Sequence, residues 1–154
     1  MALEKLQTAI DASLRDAAPL IKELFGEGGM DATGVRDFIN DTMSVSVATV
    51  SRSGRPHAAL TLCACSADGE IYFAANQRSA LYRNLQRSPY VALTVDARER
   101  GLMAQGRAEL VGLAPYLRER LLPELDRLMQ RGRWLPENWD GAVFRVQINR
   151  IFAR

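Results

Sequence analysis

Met43-Ser44-Val45-Ser46-Val47-Ala48-Thr49-Val50, then Ser53-Gly54, then the run from His57 to Ser66 decide how this chain folds. Along the first stretch apolar residues alternate with small or polar ones, the period of two that sets one face of a β-strand on a core and the other on solvent. Ser53-Gly54 supplies a hairpin turn, and the returning run is apolar on both faces, as expected of a strand central in its sheet. Asp68-Gly69 is a second hairpin signal ahead of Ile71-Tyr72-Phe73-Ala74-Ala75. Three antiparallel strands in succession are predicted.

Downstream, Ser79 to Arg87 reads as a short helix with Leu81 and Leu85 turned inward, and Ser88-Pro89 stops it before a strand from Tyr90 to Val95. Arg98-Glu99-Arg100-Gly101 turns the chain into a fifth strand, Leu102 to Val111. Tyr116, Leu117, Leu121, Leu125, Leu128 and Met129 recur at helical spacing, interrupted or restarted near Pro123, and place a helix over 113–131. A last strand is predicted within 142–152. Six strands with few helices suggest a mainly β fold with flanking helices, a six-stranded antiparallel barrel whose core covers 42–112.

Upstream, residues 1–41 form a different region. Leu3, Leu6, Ile10 and Leu14 recur at helical spacing, and Leu20, Ile21, Leu24 and Phe25 extend the stripe past Pro19, which starts a new segment. Gly26, Gly28 and Gly29 end it. Asp31 or Thr33 caps a further helix that carries Val35, Phe38 and Ile39. The arm is read as a lid on the sheet or a dimer contact. Its polar face mixes acidic with basic residues and lacks the basic enrichment of a membrane-surface helix.

With 154 residues, 47% hydrophobic and 25% charged, the chain suffices for one domain over 1–154 and is too short for two large ones. The net charge of +2 comes from 20 basic and 18 acidic side chains spread along the sequence, without the basic block that marks a nucleic-acid binder. No apolar run approaches the roughly 20 residues that cross a bilayer, and no signal-like apolar stretch opens the chain. A soluble, cytoplasmic protein with neither nucleic acid nor membrane as partner is expected. Two cysteines, Cys63 and Cys65, and a single histidine leave no zinc set. Two apart on one strand, the thiols share a face, are poorly placed for a disulfide, and read as buried and reduced, with a redox role as the sharper alternative.

The chemistry concentrates at Asn76-Gln77-Arg78-Ser79, between the third strand and the short helix. A helix start presents unpaired backbone N–H groups, so an Arg and a Ser placed there make a cradle for a phosphate and suggest a phosphorylated cofactor. The plainer reading of Arg78 is an exposed loop charge. Trp134 and Trp139 offer aromatic faces to a planar substrate, or else cover the end of the barrel or a partner subunit. His57 is a surface strand residue or a group titrating near neutrality.

Taken in order, Val47-Ala48-Thr49-Val50, Ser53-Gly54-Arg55-Pro56-His57, Ile71-Tyr72-Phe73, Tyr82-Arg83-Asn84-Leu85, Ser88-Pro89-Tyr90-Val91-Ala92-Leu93 and Gln105-Gly106-Arg107-Ala108-Glu109-Leu110 resemble the pyridoxamine 5′-phosphate oxidase-like, FMN-binding split-barrel superfamily. The resemblance covers roughly residues 35 to 112. It implies a split barrel that forms a homodimer with two flavin sites at the subunit interface. Leu60, Thr61 and Leu62 would offer backbone groups to the flavin ring. Ala74, Ala75 and Asn76 would flank the ribityl chain, and Arg78, Ser79 and Arg83 would lie near the phosphate. Gln105 reaches the cofactor, in some relatives across the dimer, or is a polar strand residue facing water.

The sequence departs from the pyridoxamine phosphate oxidases proper where those carry basic phosphate ligands, for it has Ala59, Ala64, Ala80 and Leu81 there. Their basic C-terminal substrate motif is also not recognisable. Arg78, Ser79, Arg83 and Arg55 are the substitutes within reach. The resemblance implies an FMN-dependent oxidoreductase acting on a small molecule. The departures leave open a non-catalytic module for flavin, deazaflavin or haem, or a ligand-free interaction protein.

Overall fold

The computed structural model of the chain describes residues 3–114 and 139–154. Six strands, β1 (Ser44–Val50), β2 (Pro56–Cys65), β3 (Ile71–Asn76), β4 (Tyr90–Ala97), β5 (Arg100–Leu113) and β6 (Gly141–Ala153), close in the order β1-β2-β3-β6-β5-β4. Every neighbouring pair is antiparallel. The alternation in β1 does what its period implies, with Val45 and Val47 inside and Ser46 and Ala48 outside. Val45, Val47, Phe73, Val95, Leu102 and Ile151 fill the interior, and Phe73 stacks on Phe144 at 5.4 Å between ring centroids. The first two hairpins turn at Gly54 (φ 78°) and Gly69 (φ 79°), a backbone region that glycine enters without steric cost. The helix expected over 113–131, apart from its first two residues, and Trp134 lie outside the described residues.

Helices plug the two ends of the barrel. At one end α1 (Glu4–Arg15) and α3 (Ala32–Thr42) bury Leu6, Ile10, Val35, Phe38 and Ile39 in the same core as the strands. Of the two caps the sequence left open, Asp31 is the one used, its carboxylate accepting the Gly34 N–H at 2.8 Å. Asn40 then imitates a strand: its amide donates to the Cys65 carbonyl at 2.9 Å and accepts the Cys65 N–H at 2.8 Å. The other arm helix, α2 (Pro19–Phe25), buries none of its residues. Ile21 and Phe25 are half-buried, Phe25 against Phe152 at 5.7 Å, while Leu20 is 62% exposed, so the apolar stripe does not continue onto the barrel as one face. At the opposite end α4 (Ala80–Leu85) inserts Leu81 and Leu85 and packs on β1, β2 and β3. There Asn84 donates to the buried Thr49 hydroxyl at 3.0 Å.

One buried hydroxyl ties the arm to the barrel. The β5–β6 register slips between Gln105 and Gly106, so Asn149 has no partner in the ladder. The displaced Ile151 N–H donates instead to Ser13 Oγ at 2.9 Å, and that hydroxyl donates to the Ala9 carbonyl at 2.6 Å. Ser13→Ala leaves a buried N–H without an acceptor, which costs about 1–3 kcal/mol. Urea denaturation read by circular dichroism should show this loss, with the midpoint shifted and the slope retained.

Cys63 and Cys65 are both buried and unbonded to each other. Burial, with the neighbouring Cys65 adding to it, pushes the Cys63 thiol from 9.0 up to about 12. The folded chain therefore holds this proton more tightly than the unfolded chain, and the associated stability is complete below pH 9 and lost as pH rises from there toward 12. Wild type should lose stability relative to Cys63→Ala across that window in parallel denaturation curves. A constant difference between the two would show that Cys63 does not titrate in this way.

Candidate functional site

The second and third strands part company halfway. β2 pairs with β1 along most of its length, from Pro56 to Leu62, but with β3 only where Cys63, Ala64 and Cys65 meet Phe73, Tyr72 and Ile71. Because the Cys63 N–H donates toward β1, to the Met43 carbonyl at 3.1 Å, strand alternation turns the backbone groups of Ala64, Leu62, Leu60 and Ala58 toward β3. Ala64 finds its place in the ladder, whereas Leu62, Leu60 and Ala58 lie beyond the last pair. Thr61 fixes the point of parting, its hydroxyl donating to the Ala74 carbonyl at 2.6 Å. That carbonyl is the one an unbroken ladder would give to Leu62. A row of backbone donors and acceptors is thereby left along one edge of β2, beside the 70% exposed Leu60.

The top of this split is the turn from β3 into α4, and it is internally tied. Asn76 Oδ1 accepts the Arg78 N–H at 2.8 Å, while the Ser79 N–H and hydroxyl both donate to the Asn76 carbonyl, at 2.9 and 2.7 Å. Ser79 Oγ in turn accepts the Tyr82 N–H at 3.1 Å as the helix cap. Gln77 clamps the turn to the start of β6, its side chain donating to Asp140 Oδ1 at 2.6 Å and its backbone N–H to the Asp140 carbonyl at 3.3 Å. Arg83 reaches back to the Arg78 carbonyl at 2.9 Å. The Ser79 hydroxyl is thus occupied by capping, and among the described residues Arg78 presents an exposed guanidinium at this turn.

The fold brings Leu60, Thr61, Leu62, Ala74, Ala75 and Asn76 together around the split, with Arg78, Ser79 and Arg83 at its upper end. Gln105 is elsewhere. It lies on β5, opposite Ala92 on β4, three strands from β2 and hence about 14 Å away across the sheet. Trp139 is buried against Leu62, Tyr72, Ala74 and Val143 on the outside of β2, β3 and β6. Its ring lies where a side chain on Gly141 would have to be, so that glycine is needed for space. Trp139 therefore forms a wall beside Leu62, and no free aromatic face projects from it. His57 turns inward opposite Thr49, and its Nδ1 is buried with no hydrogen-bond partner.

Two features were missed at the sequence level. One is the Gln77–Asp140 clamp, which joins residues 63 positions apart and leaves no local signal. The other is the outer face of β2, β1, β4 and β5. Its cross-strand rows read Leu60, Ser46, Thr94, Met103 and Ala58, Ala48, Ala92, Gln105, all exposed or half-buried and none charged. A solvent-facing antiparallel sheet normally carries charged residues there, and these two rows carry none. The small outward residues of β1 were the available clue.

The split offers unpaired backbone groups in a row between apolar walls, which fits the polar edge of a planar heteroaromatic ring. Among the described residues no buried cation stands beside it: Ala59 and Leu81 pack with the barrel core, and Ala64 with Leu62, Ala74 and Trp139. Among the described residues no group of three metal-ligating side chains occurs. No described helix is long and apolar enough to cross a membrane.

A closed antiparallel barrel of six strands whose second and third strands separate halfway is a split barrel. The chain belongs to the pyridoxamine 5′-phosphate oxidase family, which it matches over residues 33–153. Its fold is shared by a protein of unknown function from Agrobacterium tumefaciens (20% identity over 80% of this chain, TM-score 0.61), of which it spans only 55%. HutZ, the heme storage protein of Vibrio cholerae, is similar at 18% identity over 77% of this chain and 90% of its own, with a TM-score of 0.59. An FAD-binding protein of Mycobacterium smegmatis is similar at 19% identity over 81% and 96%, with a TM-score of 0.57. At these identities the likeness is one of fold. No curated protein matches the chain.

Proposed function

We propose that the chain is an FMN-binding oxidoreductase acting on a small molecule, assembled as a homodimer with the cofactor at the subunit interface. The observation that carries this reading is the unpaired edge of β2 at Leu60 and Leu62, set between apolar walls and next to the exposed Arg78. Backbone groups of that edge would hold the polar rim of the ring. Ala74, Ala75 and Asn76 would flank the ribityl chain, and Arg78, with Ser79 and Arg83 beside it, would mark the phosphate. A bound flavin supplies the redox chemistry, so the protein needs to position it, bond its polar edge and exclude water. Trp139 would back the wall behind Leu62.

Two features support a second copy as partner. The uncharged outer face lies directly beside the split. A two-fold axis parallel to the strands in that face lays the partner's β5 over β2, at the roughly 10 Å that separates packed sheets. Gln105, out of reach within its own chain, then approaches the neighbour's site. A haem is the second reading, favoured by the apolar cluster of Leu62, Ala74 and Trp139 beside the split, and a deazaflavin fits the same ring-binding edge.

The absorbance spectrum of the purified protein, with mass analysis of whatever heat releases, separates a flavin from a haem. Titration of apo-protein should show FMN binding more tightly than riboflavin, with Arg78→Ala removing most of the difference, roughly tenfold for one charge-assisted bond. Equal affinity for the two ligands, or an unchanged variant, would sink the phosphate assignment. Ala92→Glu places a charge in the middle of the outer face and should yield monomers in analytical ultracentrifugation. A dimer that persists in this variant would move the interface elsewhere.

A further inference from the structure

Charge on this barrel is segregated by end. No acidic residue occurs between positions 43 and 67 or between 71 and 95. The α4 end accordingly gathers Arg52 and Arg55 from the β1–β2 hairpin, Arg78, Arg83 and Arg87 along and beside α4, and Arg107 at the upper part of β5. All six are exposed, and none forms an ion pair among the described residues. Arg107 instead lies over the ring of Tyr90 at 5.2 Å, and Tyr90 is itself 60% exposed. Among the described residues, the carboxylates toward that end are Asp140, held by Gln77, and Glu109, two residues beyond Arg107 on β5 and paired with Arg145. Like charges left together repel and reduce stability, and the same field draws an anion to that end.

The spacing of these groups narrows the ligand. α4 runs from the end of β3 across to β1, so Arg78 stands at the mouth of the split while Arg87 lies just past the far end of the six-residue helix, which is itself about 9 Å long at 1.5 Å per residue. A terminal monophosphate at Arg78 leaves the rest of the row unused. A tail bearing a second anionic group meets Arg83, Arg87 and the hairpin arginines as it leaves the split. The exposed, stacked Tyr90–Arg107 pair lies beyond Arg87, where an aromatic base can rest on it.

Resting on the flavin reading above, we infer that the row Arg78, Arg83, Arg87, with Arg55 beside it, is a binding track for a diphosphate-linked nucleotide tail, so that the site that takes FMN binds a flavin dinucleotide more tightly still. Apo-protein is titrated with riboflavin, FMN and FAD at low and high salt, as wild type, as the Arg55→Gln/Arg87→Gln double variant, and as Arg98→Gln, a control in the hairpin at the opposite end. FAD should bind wild type roughly tenfold or more tightly than FMN. That ratio should shrink at high salt, as exposed charges are screened. It should fall toward one in the double variant and stay unchanged in Arg98→Gln.

Equal affinities for FAD and FMN, or a ratio that survives the double variant, overturn the track. In that case tight FMN binding leaves the mononucleotide reading standing. If riboflavin, FMN and FAD all fail to bind, the flavin reading itself is wrong and the track falls with it.

Discussion

The parting of β2 from β3 is the constraint on which the rest depends. A six-stranded barrel can close only if every strand is paired on both edges, yet β2 satisfies its β3 edge over just three residues. Its remaining edge groups must meet water, a side chain or a ligand, because a buried peptide group without a partner costs about 1–3 kcal/mol. Thr61 caps the break by occupying the Ala74 carbonyl, so the ladder ends at a defined place. The helices then divide the labour. α1 and α3 seal the end where β2 and β3 remain paired, and α4 covers the end where they have separated.

Two kinds of surface meet at that open end, and their physics differs. The outer sheet face has almost no charge to desolvate, so contact with a second surface removes apolar area from water at little electrostatic cost. The arginine-bearing end does the opposite, holding cations exposed where solvent screens each one. Buried cations would grip an anion more strongly but would have to be desolvated in a split with no acidic counter-charge. With Leu81 in the barrel core, Ala64 beside Trp139 and the arginines exposed, the proposed reading leaves charge recognition to the rim.

Much of the fold was legible because the sequence is locally consistent. The period of two in β1, the Gly54 and Gly69 turns and the Ser79 cap each specify one conformation, and the structure adopts them. The β-strand boundaries are displaced by at most about two residues, the usual uncertainty at element ends. The placement of residues 60–62 and 74–79 on β2, β3 and the turn into α4 was legible for the same reason, since each lies on an element the pattern identifies. What stayed hidden depends on tertiary pairing. No periodicity tells where β2 leaves β3, that Asn40 stands in for a strand, or that Ser13 answers a bulge in β6. The reading of β2 as apolar and enclosed on both sides held only for its last four residues, because Ala58 and Leu60 face outward where β3 no longer runs beside them.

The proposed arrangement would link assembly to ligand retention. On the proposed reading, one wall of the site is the β2 edge of one chain and the other contribution, Gln105, comes from its neighbour. A ligand that binds only the assembled form stabilises that form by mass action, so flavin affinity and dimer affinity rise and fall together. Exposed guanidinium groups alone hold an anion weakly in water, since their attraction is spread through a high dielectric and screened by salt. Closing a second apolar sheet face over the split excludes that water and strengthens every polar contact made to the β2 edge. On that reading the uncharged face and the arginine rim would work as one device: the rim would collect the ligand, and assembly would make its contacts count.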